Sequence, residues 1–371
     1  TSNGLMFNGK GFKGKKITRA YAEARMRFEP LYEVTQIKGD GETHPLLSPN
    51  DEFADYERWD VSNLSGTAPK EQWMLEYEYA RSALKMGLKL GDELGVNPYK
   101  FGLIGTTDTH TALATSREEN YFGKYQHTEP SPKRHGRDVI PAEDPSLRIL
   151  TAQEVASGLM AVWARENTRQ ELFDAMKRKE VYATTGTRIR VRVFGGWDFA
   201  AEEVFRTDFV AQGYQRGVPM GGDLRNAPDD KSPTFMIRSL RDPDGANLDR
   251  VQVIKGWLDE EGNTHERIYD VAVSGGREIG KDGRVREPVG NTVDINNATF
   301  TNTIGSTTLA TVWSDPDFDP GQAAFYYVRV LEIPTPRWTT YDAAFYDIPL
   351  PESVPPTIQD RAYTSPIWYT P

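Results

Sequence analysis

The sequence contains no cysteine among its 371 residues. Disulfide bonds, thiolate nucleophiles, cysteine-ligated zinc and iron–sulfur clusters are therefore excluded. A chain without cysteine is compatible with an oxidising compartment but does not require one. The sequence also lacks any run of about 18 apolar residues, and so it predicts no membrane-spanning helix.

Positive charge is in deficit, because 44 lysines and arginines face 54 aspartates and glutamates, giving a net charge of −10. This balance argues against a general nucleic-acid binder, which needs a basic surface. The sequence also has no G-x-S-x-G nucleophile elbow, no P-loop and no dinucleotide fingerprint. A serine hydrolase of the elbow type and the common nucleotide-binding folds are therefore not indicated.

The first half of the chain alternates between strand-like and helix-like patterns. Strands are predicted at residues 30–38, 101–105, 158–164 and 181–186. Helices are predicted over residues 69–94, from apolar spacings of three and four, and from Thr168, where T-x-x-E forms a capping box. This order predicts a parallel, barrel-like sheet. Residues 111–150 lack periodicity and are expected to form a lid or binding loop.

From residue 188 onward, short alternating runs separated by turns predict a β-sandwich-like domain. Its tryptophans favour two readings, a packed core or a platform that binds sugars. Arg188, which follows a predicted strand end, is a candidate for bidentate binding of a substrate phosphate, although an ion pair would also account for it. We therefore expect two domains, at residues 1–187 and 188–371.

The candidate site is carried by the segment that ends in Asp108 and His110. If residues 101–110 continue as a strand, these two side chains point the same way and emerge at its carboxyl end, where α/β barrels carry their chemistry. An oxygen and a nitrogen ligand side by side suit zinc, manganese or iron. The alternative is that both residues only cap the next element. His44, in a Gly- and Pro-rich loop, is a further candidate ligand or a loop histidine held by backbone bonds.

Several long segments together resemble a bacterial family of unknown function allied to the polymerase-and-histidinol-phosphatase (PHP) superfamily of metal-dependent hydrolases. The segments that carry the resemblance are Glu33-Val-Thr-Gln-Ile-Lys-Gly39, Gly41-Glu-Thr-His-Pro-Leu-Leu-Ser-Pro49, Gly102-Leu-Ile-Gly-Thr-Thr-Asp-Thr-His110, Tyr182-Ala-Thr-Thr-Gly186 and Ala362-Tyr-Thr-Ser-Pro-Ile-Trp368. The similarity extends over nearly the whole chain.

The resemblance implies the C-terminal part of a distorted (β/α)7 barrel, with two or three divalent transition-metal ions at the strand ends. Asp108 and His110 match the late Asp-x-His pair of PHP proteins, and Glu33 matches a carboxylate that follows a mid-barrel strand. The alternative is that Glu33 is a strand-end carboxylate that pairs with a lysine such as Lys38. The early His-x-His pair is absent, so the remaining ligands are expected upstream of Thr1, in a missing N-terminal segment of the same protein. Relatives of this type are often exported, which implies a periplasmic or secreted location, with the cytoplasm as the alternative.

These observations predict a metal-dependent hydrolase of a small-molecule substrate, most simply a phosphate ester, in which a metal-activated water attacks. Asp108 and His110 are the expected catalytic residues. Two alternatives come from other functional classes. One is a binding or structural protein on a degenerate barrel, and the other is a carbohydrate-binding protein that uses the aromatic β-rich region.

Overall fold

The computed structural model of the protein describes residues 3–11 and 14–371. Its α-helices are α1 (Arg19–Phe28), α2 (Gln72–Leu75), α3 (Ala80–Leu94), α4 (Arg169–Lys177), α5 (Phe209–Arg216) and α6 (Trp338–Tyr346). Its strands are β1 (Leu31–Gln36), β2 (Gly39–Asp40), β3 (Gly102–Gly105), β4 (Asp138–Ile140), β5 (Ile149–Leu150), β6 (Leu159–Val162), β7 (Val181–Thr184), β8 (Arg190–Gly196), β9 (Gly217–Pro219), β10 (Asp223–Leu224), β11 (Thr234–Leu240), β12 (Leu248–Leu258), β13 (Thr264–Val273), β14 (Thr308–Ser314), β15 (Ala324–Glu332), β16 (Thr335–Pro336), β17 (Thr357–Ile358), β18 (Arg361–Thr364) and β19 (Ile367–Tyr369). Within the described ranges, none of the helices is long and apolar enough to cross a bilayer.

The prediction of a (β/α)7 barrel is wrong. The protein is mostly β-sheet, with about 27% of residues in strands and 20% in helices, and its sheets are open and largely antiparallel. A large sheet has the order β10-β19-β15-β18-β7-β6 and is extended by β12 and β13, and a four-stranded sheet has the order β14-β11-β8-β9. A small sheet has the order β2-β1-β3, in which β1 and β3 run parallel.

Helix α4 shows why the alternating pattern misled the prediction. A helix that crosses over a parallel sheet must bury a broad apolar stripe, but α4 buries only Ala175. Strands β6 and β7 pair antiparallel, with Val162 opposite Val181, so α4 lies within the connection of a long hairpin. The local start of the helix was nevertheless correct, because the Thr168 side chain accepts a hydrogen bond from the Glu171 N–H at 3.3 Å.

The large sheet is buried on both faces, and β15 shows this most clearly. Tyr326 and Val328 belong to the core shared with the four-stranded sheet, whereas Phe325 and Tyr327 belong to the core shared with α3, β1 and β3. Alternate residues of a strand face opposite sides, which explains why the entire strand is buried. Strands β6 and β7 precede residue 187, the predicted domain boundary, and they pair into the same sheet as β15 and β18, which follow it. This sheet therefore contains strands from both sides of the predicted boundary.

Candidate functional site

The parallel strands β1 and β3 bring two chain segments together at their carboxyl ends. Glu33 of β1 lies opposite Ile104 of β3, and a register shift follows before Thr35. The chain continues from β1 into a tight turn that carries Lys38. Gly39 makes that turn possible: its φ is +95°, and a Cβ there would lie 1.8 Å from the carbonyl oxygen of Glu57. The turn therefore fixes Lys38 beside the segment that follows β3.

Asp108 is at the centre of the resulting polar cluster. Its Oδ2 contacts the ammonium group of Lys38 and lies 2.5 Å from that of Lys124. Burial by itself would raise the pKa of Asp108, but hydrogen bonds from Lys124 and Lys38 outweigh it and lower that pKa. The backbone of Asp108 has φ of +53°, a left-handed conformation that aspartate tolerates better than most residues. The carboxylate is thus ionised and held between two cations.

His110 joins this cluster through its backbone and its ring. Its N–H donates to the Lys124 carbonyl at 2.9 Å, and its Nδ1 lies 2.9 Å from the Asp108 carbonyl oxygen and 3.8 Å from Asp108 Oδ1. A carbonyl oxygen only accepts, so Nδ1 carries the proton in this contact and Nε2 keeps its lone pair. The side chain is 48% exposed. The imidazole is therefore oriented with a free basic nitrogen.

Glu33 lies at the same edge of the small sheet. Its Oε1 accepts a hydrogen bond from the Thr106 hydroxyl, and its Oε2 accepts one from Gln36 Nε2 at 2.6 Å. Burial raises the pKa of Glu33, and the negative charge of Asp108 adds to that effect. The expected contact with Lys38 is indirect: Lys38 donates to Asp108 and, at 2.5 Å, to Gln36 Oε1.

A cavity of about 780 Å³ reaches this cluster. Glu33, Gln36 and Lys38 line it, and Lys38 connects the cavity with Asp108. The other charged lining residues are Arg25, Glu29, Asp40 and Glu78, and the aromatic ones are Phe7, Phe28, Tyr32, Trp59, Tyr79, Tyr99 and Phe101. The cavity therefore combines aromatic and charged lining residues, an arrangement typical of sites that bind small molecules.

Lys124 and Glu154 come from parts of the chain in which no ligand pattern was recognised from the sequence. Lys124 is 3% exposed, and burial lowers its pKa despite its contact with Asp108. Burial raises the pKa of Glu154 to about 7, and the charge of Lys124 opposes that rise. Tyr121 donates to one oxygen of Glu154 at 2.7 Å, and the other oxygen has no hydrogen-bond partner. No sequence pattern around Lys124 identifies it, because its contact with Asp108 joins residues that are sixteen positions apart in the chain.

His44 and Arg188 are held by other partners. His44 accepts a hydrogen bond from the Leu46 N–H at its Nδ1, and its Nε2 lies 3.0 Å from Asp60 Oδ2. Both ring nitrogens are therefore engaged in holding the loop. Arg188 pairs with Asp242 at 3.2 Å and with Asp244 at 2.6 Å, away from the Asp108 cluster in the chain's β-rich region.

The expected metal ligands, Asp108, His110 and Glu33, have donor atoms that suit a metal ion, but their arrangement does not form a metal centre. Carboxylate oxygens and an imidazole Nε2 are donors that zinc, manganese and iron accept. In the part of the chain that the structure describes, however, no three His, Asp or Glu side chains converge as a metal-binding group. Asp108 is already neutralised by Lys38 and Lys124. These side chains do not by themselves fit a metal centre.

Fold and site together define a β-rich protein in which Lys38 and Lys124 both contact the carboxylate of Asp108, and in which Lys38 also lines the cavity. The chain belongs to the family described as "Protein of unknown function (DUF3604)", which it matches over residues 1–371. No curated protein matches the chain.

Proposed function

We propose that the protein is a hydrolase of anionic esters, phosphate esters first among them, and that the Asp108 cluster is its active site. The observation that carries the proposal is the pair of ammonium groups, from Lys38 and Lys124, that contact Asp108 Oδ2, since Lys38 also lines the cavity. The aromatic residues that line the cavity favour an ester of an apolar or aromatic alcohol. The link with the PHP superfamily belongs to the same proposal and rests on the sequence motifs.

Lys38 and Lys124 face the carboxyl groups of Asp108 and Glu33, and burial raises the pKa of Glu33, which favours an excess of positive charge in the cluster. A phosphoryl oxygen that approaches Lys38 takes over hydrogen bonds from an ammonium group with three donors, while Asp108 keeps both lysines in place. Stabilising charge that develops on the phosphoryl oxygens is generally the largest contribution to this kind of catalysis. The lysines therefore account for substrate binding and for stabilisation of the transition state.

His110 supplies the proton transfer in this proposal. Its free Nε2 takes a proton from an attacking water as the oxygen bonds to phosphorus, and the ester P–O bond breaks. The protonated imidazole then returns its proton to the departing alcohol. Because the Asp108 carbonyl holds Nδ1–H, the ring presents Nε2 in one tautomer throughout.

Metal dependence is a separate proposal that follows from the resemblance. Asp108, His110 and Glu33 are the residues that would contribute ligands, and they need further ligands to complete a centre. A bound zinc, manganese or iron ion would supply a more acidic water. An exported location is likewise proposed from the resemblance.

The test is turnover of p-nitrophenyl phosphate and bis-p-nitrophenyl phosphate by the purified protein, with and without added Zn²⁺, Mn²⁺ or Fe²⁺. Metal content is measured on the same sample by mass spectrometry. We expect turnover of at least one ester, and we expect His110→Gln to lower kcat at least about 100-fold with little change in KM. His265→Ala is the control, because His265 pairs with Asp259 at 2.6 Å on a surface hairpin.

A second candidate, an anion-binding protein without catalysis, is favoured by the absence of a converged ligand group among the described residues. Binding of inorganic phosphate without turnover of either ester, under every metal condition, would replace the first proposal with this one. The carbohydrate alternative gains less support, because Trp338 and Trp368 are fully buried and offer no face to a sugar, and Trp257 and Trp313 are half-buried.

A further inference from the structure

A second cavity, of about 240 Å³, lies where the loop after β3 meets the β-rich half of the chain. Six carboxylates and the guanidinium of Arg117 line it. Arg117 pairs with Glu119, and Arg188 pairs with Asp242 and Asp244. The other three carboxylates come from different segments: Glu118 from the loop, Glu332 at the end of β15, and Asp360 just before β18. The aromatic rings of Phe300 and Tyr341 line it as well. None of these residues belongs to the Asp108 cluster.

Glu332 is the most unusual of the three carboxylates. It is 0% exposed, and neither of its oxygens has a hydrogen-bond partner. The Thr187 hydroxyl and the Ala246 N–H face it and favour its charged form, but neither makes a hydrogen bond of ordinary geometry with it, and the Thr187 hydroxyl is itself unpaired. Buried polar groups are normally paired, so an unpaired carboxyl that lines a cavity points to a missing partner.

Glu118 and Asp360 add to the unmet demand for positive charge. One oxygen of Glu118 accepts from the Trp338 N–H, and the other is buried without a partner. Asp360 accepts from the Thr185 hydroxyl at 2.5 Å. The nearby Arg337 is committed elsewhere, because its guanidinium donates to both oxygens of Glu57, at 2.8 and 3.0 Å.

Burial and mutual repulsion act on all three groups in the same direction. Burial raises the pKa of Glu332 and that of Glu118 well above the usual range, and in both cases the charge of Asp360 adds to the rise. Burial likewise raises the pKa of Asp360 to about 6. A cation in the cavity would relieve this repulsion.

We propose that the cavity enclosed by Glu118, Glu332 and Asp360 binds a small organic ammonium ion. Ammonium N–H groups supply the donors that the buried carboxyl oxygens lack, and aromatic rings such as Phe300 and Tyr341 favour organic cations. The volume suits a ligand of under about ten non-hydrogen atoms, since a water molecule takes about 30 Å³. A directly coordinated metal is disfavoured, because these carboxylates are not among any converging metal-binding group of the described residues.

The test is isothermal titration calorimetry with butane-1,4-diammonium, with butane-1,4-diol as the uncharged match and CaCl₂ as the metal probe. We expect the diammonium to bind with a Kd below about 1 mM, and the diol and Ca²⁺ to bind at least tenfold more weakly. Glu332→Gln, which keeps the side-chain shape, should weaken diammonium binding at least tenfold. Glu119→Gln, at an exposed carboxylate on the rim, should change it less than twofold.

Thermal unfolding of the variants separates a lost site from a lost fold. Glu332→Gln should melt no lower than the parent protein, since it removes an unpaired buried acid. Tighter binding of Ca²⁺ than of the diammonium, equal binding of the diol, or unchanged affinity in Glu332→Gln would each overturn the proposal. Absence of binding by all probes would do so too, and would mean that water fills the cavity.

Discussion

Two clusters of paired charges in this protein are built from different cations. In the buried arginine cluster, Arg81 and Arg329 share the carboxylates of Glu42 and Asp51 at distances of 2.5–2.8 Å, and all four side chains are fully buried. In the Asp108 cluster, two lysines meet one aspartate that is 22% exposed. In the first cluster the two arginines and the two carboxylates that they share are buried, and Arg81 also pairs with Glu266 at 3.1 Å. The second cluster is partly exposed, and one of its lysines, Lys38, lines the cavity of about 780 Å³.

The difference follows from the chemistry of the two cations. Guanidinium groups have five donors in a fixed plane and bind carboxylates bidentately, which suits permanent cross-links. Here they tie the loop after β2 to α3, β12 and β15. Ammonium groups have three rotatable donors, and they can exchange one oxygen partner for another. This difference suits the arginine cluster to a structural role, and it is consistent with the ligand-binding role that the proposed function gives to the lysines.

The largest effect is expected from Arg329→Met, which breaks the arginine cluster. Glu42 and Asp51 would remain buried with Arg81 as their shared cation, and breaking such a network costs about 3–5 kcal/mol. Urea unfolding measures the free energy of unfolding directly. A loss below about 1 kcal/mol would mean that the cluster does not stabilise the fold.

The next largest effect is a change in the pH dependence of the free energy of unfolding, to which Glu154, beside Lys124, contributes. Burial raises its pKa to about 7, so the folded protein binds a proton more readily than the unfolded chain does. Its contribution to stability is therefore complete below the unfolded pKa, near 4.5, and is lost as pH rises to about 7. Between these two pH values, the contribution of Glu154 to the free energy of unfolding falls by on the order of 1 kcal/mol per pH unit.

Glu154→Gln should remove that slope from the urea-unfolding profile measured between pH 4.5 and 7.5. Glu143→Gln is the matched control, because Glu143 is an exposed carboxylate of the same loop. Other buried acids, such as Asp40, retain their own contributions in both variants. Equal pH profiles for the two variants would contradict the assignment.

The smallest effect on stability is expected from Lys38→Met. Lys124 still neutralises Asp108 in this variant, and the pair that is lost is partly exposed, so the cost should be about 1 kcal/mol or less. Urea unfolding of Lys38→Met beside Arg329→Met makes the comparison direct. Equal losses of unfolding free energy in Lys38→Met and Arg329→Met would contradict the prediction that the arginine cluster stabilises the fold more than the Asp108 cluster does.

Sequence reasoning singled out Asp108 and His110, but not the two lysines that contact Asp108 in the structure. The D-x-H motif was predictable because a short apolar run ending in glycine and threonine indicates a strand followed by a turn. β3 ends at Gly105, however, so Asp108 and His110 are placed by the turn and by the left-handed backbone of Asp108 rather than by strand alternation. Lys124 belongs to a loop without periodicity, and its contact with Asp108 depends on tertiary packing.

The fold was harder to predict than the elements. Several strands and the capped start of α4 follow from local patterns that the structure reproduces. Whether strands pair parallel or antiparallel depends on where each connection returns, and residues 163–180 return as a hairpin. The sequence of α4 itself argued against a parallel pairing of the strands on either side of it. A helix that packs on a parallel sheet needs a broad apolar face, and α4 has little apolar surface.

The measurement that tests the central claim most directly compares Lys38→Met with Lys85→Met in turnover of p-nitrophenyl phosphate, the simplest ester of the expected class. Lys85 is a matched control, because it is similarly buried and its Nζ lies 2.7 Å from Glu266, away from the cavity. The account predicts that kcat/KM falls at least about tenfold in Lys38→Met, equivalent to about 1.4 kcal/mol, and less than twofold in Lys85→Met. Equal activity in the two variants would contradict the assignment of the Asp108 cluster as the active site.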